Sequence, residues 1–177
     1  MGRLLVVTGD FIGYFAAAAT AAGTLIGLLF VAVSLRPGSV LGATAPPEAR
    51  AVAGSAFIAL VNSFFVSLIA VIPDASLGYV AAIMAVLSLW YTMNLHRSLV
   101  HAGPTWRELA FAVATYCGQF GVGVALAIRP QNQNLVSVVA YLLVASFAVA
   151  LQRAWSLIHG RYIAEKPAEP SASDPAL

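Results

Sequence analysis

"FIGYFAAAATAAGTLIGLLFVAVSL", residues 11–35, carries no charged side chain. A bilayer's hydrocarbon core is about 30 Å thick and a helix rises about 1.5 Å per residue, so about 20 apolar residues are enough to cross it. This stretch exceeds that length. Its first part, apolar and rich in small residues, resembles the core of a secretory leader. The hydrophobic run nevertheless continues through Ser34, about twice the length of such a core. It is expected to remain as an uncleaved first membrane span.

The composition of the whole chain agrees. Of its 177 residues 60% are hydrophobic and 9% charged, whereas a soluble domain carries about 25% charged residues. The length fits a single helical bundle. A formal net charge of +2, with the charges scattered, gives no reason to expect a nucleic-acid partner.

Working outward from residues 11–35, further spans of sufficient length are expected at about 49–72, 76–98, 106–128 and 135–158. The expected fold class is therefore all-α, a polytopic transmembrane bundle of five spans within residues 1–160. Residues 161–177 are rich in proline and small polar residues, with too little apolar content to repay ordering entropy, and are expected to form a disordered cytoplasmic tail.

Local chemistry marks each boundary. Asp10 is suited to cap the first helix. Arg36-Pro37-Gly38 ends it, because proline lacks a donor and glycine readily adopts the exit conformation. Pro46, Pro47 and Glu48 suit a first helical turn, where missing donors cost nothing and negative charge meets the positive end of the dipole. "IPDASLG", residues 72–78, is short enough to join antiparallel neighbours, with Asp74 or Ser76 as cap. Thr105 and Glu108 have the spacing of a capping box. "RPQNQN", residues 129–134, closes the fourth span and offers Asn132 or Asn134 to cap the fifth.

Basic residues in short loops set membrane orientation. Alternating the spans places Arg36, Arg50, Arg97, Arg107, Arg153, Arg161 and Lys166 on one side, against Arg3 and Arg129 on the other. The N-terminus is expected outside and the C-terminus in the cytoplasm. Trp90, Trp106 and Trp155 fall near the same cytoplasmic ends, where indole rings settle among headgroups.

Lipid does not drive helices together by the hydrophobic effect, so association depends on close contact and interhelical hydrogen bonds. Ala19, Gly23 and Gly27, with Ser34 beyond, form a small-residue ridge on the first span. Comparable stripes are Ser55, Ala59, Asn62, Ser63, Ser67 and Ala70 on the second, and Gly78, Ala81, Ala82, Ala85, Ser88 and Thr92 on the third. On the fourth the stripe is Ala110, Ala114, Cys117, Gly118, Gly121 and Ala125. These are expected to be the inner faces of one bundle. The fifth span has fewer small residues at regular spacing and is expected at the periphery or at a subunit contact.

Asn62 is the strongest case among the polar groups, a mid-membrane carboxamide with two donors and an acceptor to satisfy, and Ser63 and Ser67 add hydroxyls close by. Two readings stand side by side: a polar path for a solute, or hydrogen bonding to a neighbouring helix while the serines bond to their own carbonyls. Thr115, Tyr116 and Gln119 on the fourth span complete a polar core if the two faces meet. No charged residue lies near mid-span; Arg97 and Arg153 sit at inner ends, where their side chains can snorkel to the headgroups.

Cys117 is the single cysteine and is expected to be a buried, inert thiol. His96, His101 and His159 fall on the cytoplasmic rim without the spacing or partners of a metal site. No nucleotide, zinc-protease or nucleophile motif is present. No catalytic residue, metal or cofactor is expected, and enzyme activity is disfavoured.

"GTLIGLLFVAVSLRP", residues 23–37, and "ARAVAGSAFIALVNSFFVSLIAVIPD", residues 49–74, together resemble small multi-pass bacterial integral membrane proteins with no established activity. The resemblance implies a bacterial cell inner membrane and no catalytic residues. The expected function is that of a non-enzymatic integral membrane protein acting through helix contacts, either as a homo-oligomer or with another membrane protein as an accessory subunit. A passive channel or small neutral-solute transporter with a polar path near Asn62 is the alternative. The lipid bilayer is the surrounding partner in either case.

Overall fold

The computed structural model describes residues 9–35, 47–98 and 106–158, which are helical apart from two short turns. The helices are α1 (Gly9–Leu35), α2 (Pro47–Val71), α3 (Leu77–Ser98), α4 (Trp106–Ile128) and α5 (Gln133–Ile158). Every one of the five is long and apolar enough to cross a membrane. Their limits lie within two residues of those the hydrophobic runs imply.

The boundary chemistry explains that agreement. Pro47 opens α2 at the first helical position, where a missing donor is harmless. Between α2 and α3 the chain reverses through Asp74, whose φ of 62° places it in the left-handed region. Ser76 precedes α3, its carbonyl accepting from the Val80 amide at 3.3 Å. Of the two cap candidates, Ser76 therefore holds the cap position and Asp74 makes the turn. Asn132 caps α5, its Oδ1 accepting from the Asn134 amide at 3.1 Å.

Gly9 and Asp10 are both already helical, so Asp10 stands within α1 rather than at its cap. The Asp10 side chain, Arg36-Pro37-Gly38, Thr105, the Glu108 side chain and the tail 161–177 lie outside the described residues.

α2, α3, α4 and α5 form an up-down-up-down ring in which each helix packs on its two neighbours. α3 and α4 make the most intimate pair. α1 lies outside the ring, packed along α2 with only a slight contact to α5. The expectation for the fifth span is thus corrected, because α1 is the peripheral helix. Only 17% of its membrane window is buried, against 39% for α5. α5 joins the ring through a face that mixes small and branched side chains. It buries Val136, Val139, Ala140, Leu143, Ser146 and Ala150 along one helix face, and packs by interlocking side chains.

The α3–α4 pair uses the opposite device. A Cβ added to Gly78 would lie 2.5 Å from the Ala127 backbone nitrogen and 2.8 Å from the Gly123 carbonyl. One added to Gly123 would lie 2.7 Å from the Ala82 nitrogen. Gly78 and Ala82 on α3 therefore meet Gly123 and Ala127 on α4, small residues four apart on each helix, and the two backbones touch.

Elsewhere the small residues are less directly used. On α1 the buried stripe is Phe15, Ala18, Ala19 and Ala22. Gly23 faces the Phe64 ring of α2, with 3.5 Å from an added Cβ to the nearest ring carbon, while Gly27 has no neighbour of this kind within 4 Å. Ser34 is exposed. The ridge expected along Ala19, Gly23, Gly27 and Ser34 is rotated from the real one, since α2 meets α1 with the rings of Phe57 and Phe64 rather than with bare backbone.

Candidate functional site

The centre of the ring is a pair of carboxamides. Asn62 of α2 and Gln119 of α4 are both fully buried. Asn62 Nδ2 donates to Gln119 Oε1 at 2.9 Å, and Gln119 Nε2 donates back to Asn62 Oδ1 at 2.9 Å. Gln119 Nε2 also donates to the Ala81 carbonyl of α3 at 3.1 Å. Three helices are tied at one level. At about 1.5 Å per residue that level lies about 13 Å from the Val71 and Ile128 helix ends, close to the middle of a bilayer.

Helix periodicity brings these groups in. The second-span stripe of Ser55, Ala59, Asn62, Ser63, Ser67 and Ala70 is buried throughout, as is the α3 stripe at Gly78, Ala81, Ala85, Ser88 and Thr92. On α4 the inward face is Ala112, Thr115, Tyr116, Gln119, Gly123 and Leu126. The small stripe of Ala110, Ala114, Cys117, Gly118 and Gly121 points away from the ring, which corrects the expectation that it forms an inner face. Gln119 and Gly123 occupy one side of α4, and both lie well around the helix from Gly121. Two carboxamide bonds and a backbone contact orient the helix by that side. Gly118 keeps a lateral contact, its added Cβ 3.7 Å from a Leu142 methyl, whereas Gly121 has nothing within 4 Å.

Cys117 follows the stripe outward and is exposed, not buried. Arg153 also departs from expectation. Only 8% exposed, it is buried against the bundle rather than snorkelling outward.

The hydroxyls divide into two sets. Ser63 donates to the Ala59 carbonyl at 3.0 Å, Thr115 to Phe111 at 2.9 Å and Ser146 to Leu142 at 3.0 Å, each within its own helix. Ser67, Ser88 and Thr92 are equally buried, and their oxygens have no hydrogen-bond partner. Asn62 and Gln119 are therefore brought together, while Ser63 turns back on its helix and Thr115 does the same.

Gly123 and Ala127 went unsingled in the sequence. Their glycine-x-x-x-alanine spacing matches that of Gly78 and Ala82, and this match is the available clue. Trp90 and Trp155 are exposed on the bundle surface, as lipid-headgroup anchors need to be. The side chains of His96 and Trp106, and residues His101 and His159, lie outside the described residues. Among the described residues no group of His, Cys, Asp and Glu is arranged to hold a metal ion. Compared with known proteins, the chain matches no protein family, no curated protein and no solved structure, so the reading of its function rests on this geometry.

Proposed function

We propose that this chain is a non-enzymatic integral membrane protein of a bacterial inner membrane, acting through helix–helix contacts as a homo-oligomer or as an accessory subunit of a membrane complex. The N-terminus is placed outside and the C-terminus in the cytoplasm, following the distribution of arginines.

One observation carries the proposal. The α4 stripe of Ala114, Cys117, Gly118 and Gly121 faces outward, although small residues at this spacing favour close helix approach. Inside the bundle α4 uses a different face, so apart from the lateral contact of Gly118 with Leu142 its outward small residues do not serve the fold of the single chain. The alternative, a passive channel or small neutral-solute transporter, is disfavoured at Asn62, whose carboxamide is occupied by Gln119 and sealed by packing.

Cys117 supplies the test, because it is the only cysteine and lies on the stripe. Oxidative crosslinking in native membranes should give a disulfide-linked dimer, or an adduct with one other membrane protein, and Gly121→Leu should abolish the product. A protein that stays monomeric, without an adduct, under crosslinkers of several lengths would overturn the proposal.

A further inference from the structure

The interior of the ring changes character along its length. Towards the two described turns it is filled by apolar side chains, among them Val66, Leu77, Leu126, Val136 and Leu143, with Phe15 of α1 packed in the same cluster. From the Asn62–Gln119 pair towards the opposite end the buried groups include Ser88, Thr92, Thr115, Tyr116, Ser146 and Arg153. Apolar packing closes one half, while in the other these polar groups are interspersed with small and aliphatic side chains such as Ala59, Leu60 and Ala150.

Within the polar half, Ser88 and Thr92 stand one turn apart on the inner face of α3, 0% and 4% exposed. Neither oxygen has a hydrogen-bond partner. Thr115 and Ser146 show that a helix carbonyl one turn back is available to a hydroxyl in this bundle. A buried hydroxyl left without a partner loses its hydration and gains nothing in return, so a packing that lets water reach it is favoured at that point. Water also needs room and further polar partners. The antiparallel register that sets Ala81 against Gln119 and Gly78 against Gly123 brings Ser88 within about one turn of Tyr116 and Thr115.

We propose that Ser88 and Thr92 form a water-binding site in the polar half of the bundle, reached from the end that holds Arg153 and blind at the Asn62–Gln119 pair. Small separations of the helices admit the water. At the other half the backbone contact of Gly78 with Gly123 and the apolar filling keep α3 and α4 together. Ser67 provides an internal comparison, since its oxygen is also without a partner but lies on the apolar side of the pair. The site stands independently of the helix-contact function proposed above.

Radiolytic hydroxyl-radical footprinting of the full-length protein in lipid nanodiscs tests this, because radicals generated from water oxidise the side chains beside it. Tyr116 and Phe15 are almost equally buried, at 2% and 0% exposure. Tyr116 should be oxidised at least about five times faster than Phe15, and Ser88→Ala with Thr92→Val should bring its rate down to that of Phe15. Equal rates for the two rings in the wild-type protein would overturn the site, as would a Tyr116 rate unchanged in the double variant. Unchanged melting of the double variant in detergent guards against a misfolded comparison, and Thr92→Ser, which keeps the hydroxyl, should restore Tyr116 oxidation in a Ser88 background.

Discussion

Asn62 and Gln119 exchange two hydrogen bonds, both 2.9 Å long, between helices that face each other across the ring. Neighbouring helices in a bundle find each other through long packed surfaces. Helices on a diagonal do not, and here the join is made by side chains long enough to meet at the centre. Each amide satisfies the other, so the cost of placing two carboxamides in a membrane interior is largely offset.

Replacing one partner should therefore be worse than replacing both. Asn62→Leu or Gln119→Leu leaves a buried amide unpaired and should cost about 1–2 kcal/mol, whereas the double variant should cost less than the sum of the two. Unfolding in mixed detergent micelles measures all three. A strictly additive double variant would show that the two amides do not act as a unit.

The glycines separate by what stands opposite them. Gly123→Ala and Gly78→Ala push a methyl into the partner backbone and should each destabilise by about 1–3 kcal/mol, since backbone cannot yield as a flexible side chain can. Gly121→Ala and Gly13→Ala meet nothing within 4 Å and should leave the unfolding midpoint unchanged or raise it. Melting curves for the four variants in one detergent distinguish the groups.

At the start of α5, Asn132 Oδ1 accepts the Asn134 amide, and Asn134 itself is exposed. Asn132→Ala should cost about 1 kcal/mol. Asn134→Ala should be close to neutral. The comparison is internal to one turn, so any general effect of the detergent cancels.

Asp74 adopts a φ of 62° in the turn between α2 and α3. Asp74→Gly should be tolerated, while Asp74→Val should cost about 1–2 kcal/mol, because a β-branched side chain crowds the backbone in the left-handed region. Unfolding of the two variants checks the sign, and equal stability would remove the conformational argument.

Orientation has its own measurement. Reporter fusions at the two ends of the chain should be found on opposite sides of the membrane, with the C-terminal fusion in the cytoplasm. Adding arginines beside Arg129 should weaken that preference, since basic residues in short loops resist translocation.

The spans were legible because hydrophobic run length and terminal chemistry are local properties. Pro47, Asn132 and the 72–78 turn fixed boundaries without reference to anything distant. The inward faces of α2 and α3 were also legible, as each helix carries one dominant stripe of small and polar residues. α4 carries two competing faces. Its sequence offers Cys117, Gly118 and Gly121 on one side and Thr115, Gln119 and Gly123 on the other, and small size alone does not rank them. Cys117 and Arg153 were misplaced for a related reason, since apolar surroundings in sequence do not distinguish lipid from protein interior.

Sequence by itself determined that the described residues hold five membrane-length helices, with limits to within two residues, and that a carboxamide, Asn62, lies deep in the second. Tertiary structure alone decided that the partner is Gln119, that α1 rather than α5 stands outside the ring, and that the α4 stripe faces away from it. Helix formation and span length depend on each segment's own residues, while helix rotation depends on a match between two surfaces far apart in the chain. In a medium where lipid solvates every apolar face alike, that match is set by backbone approach at Gly78 and Gly123 and by two amides meeting at the centre.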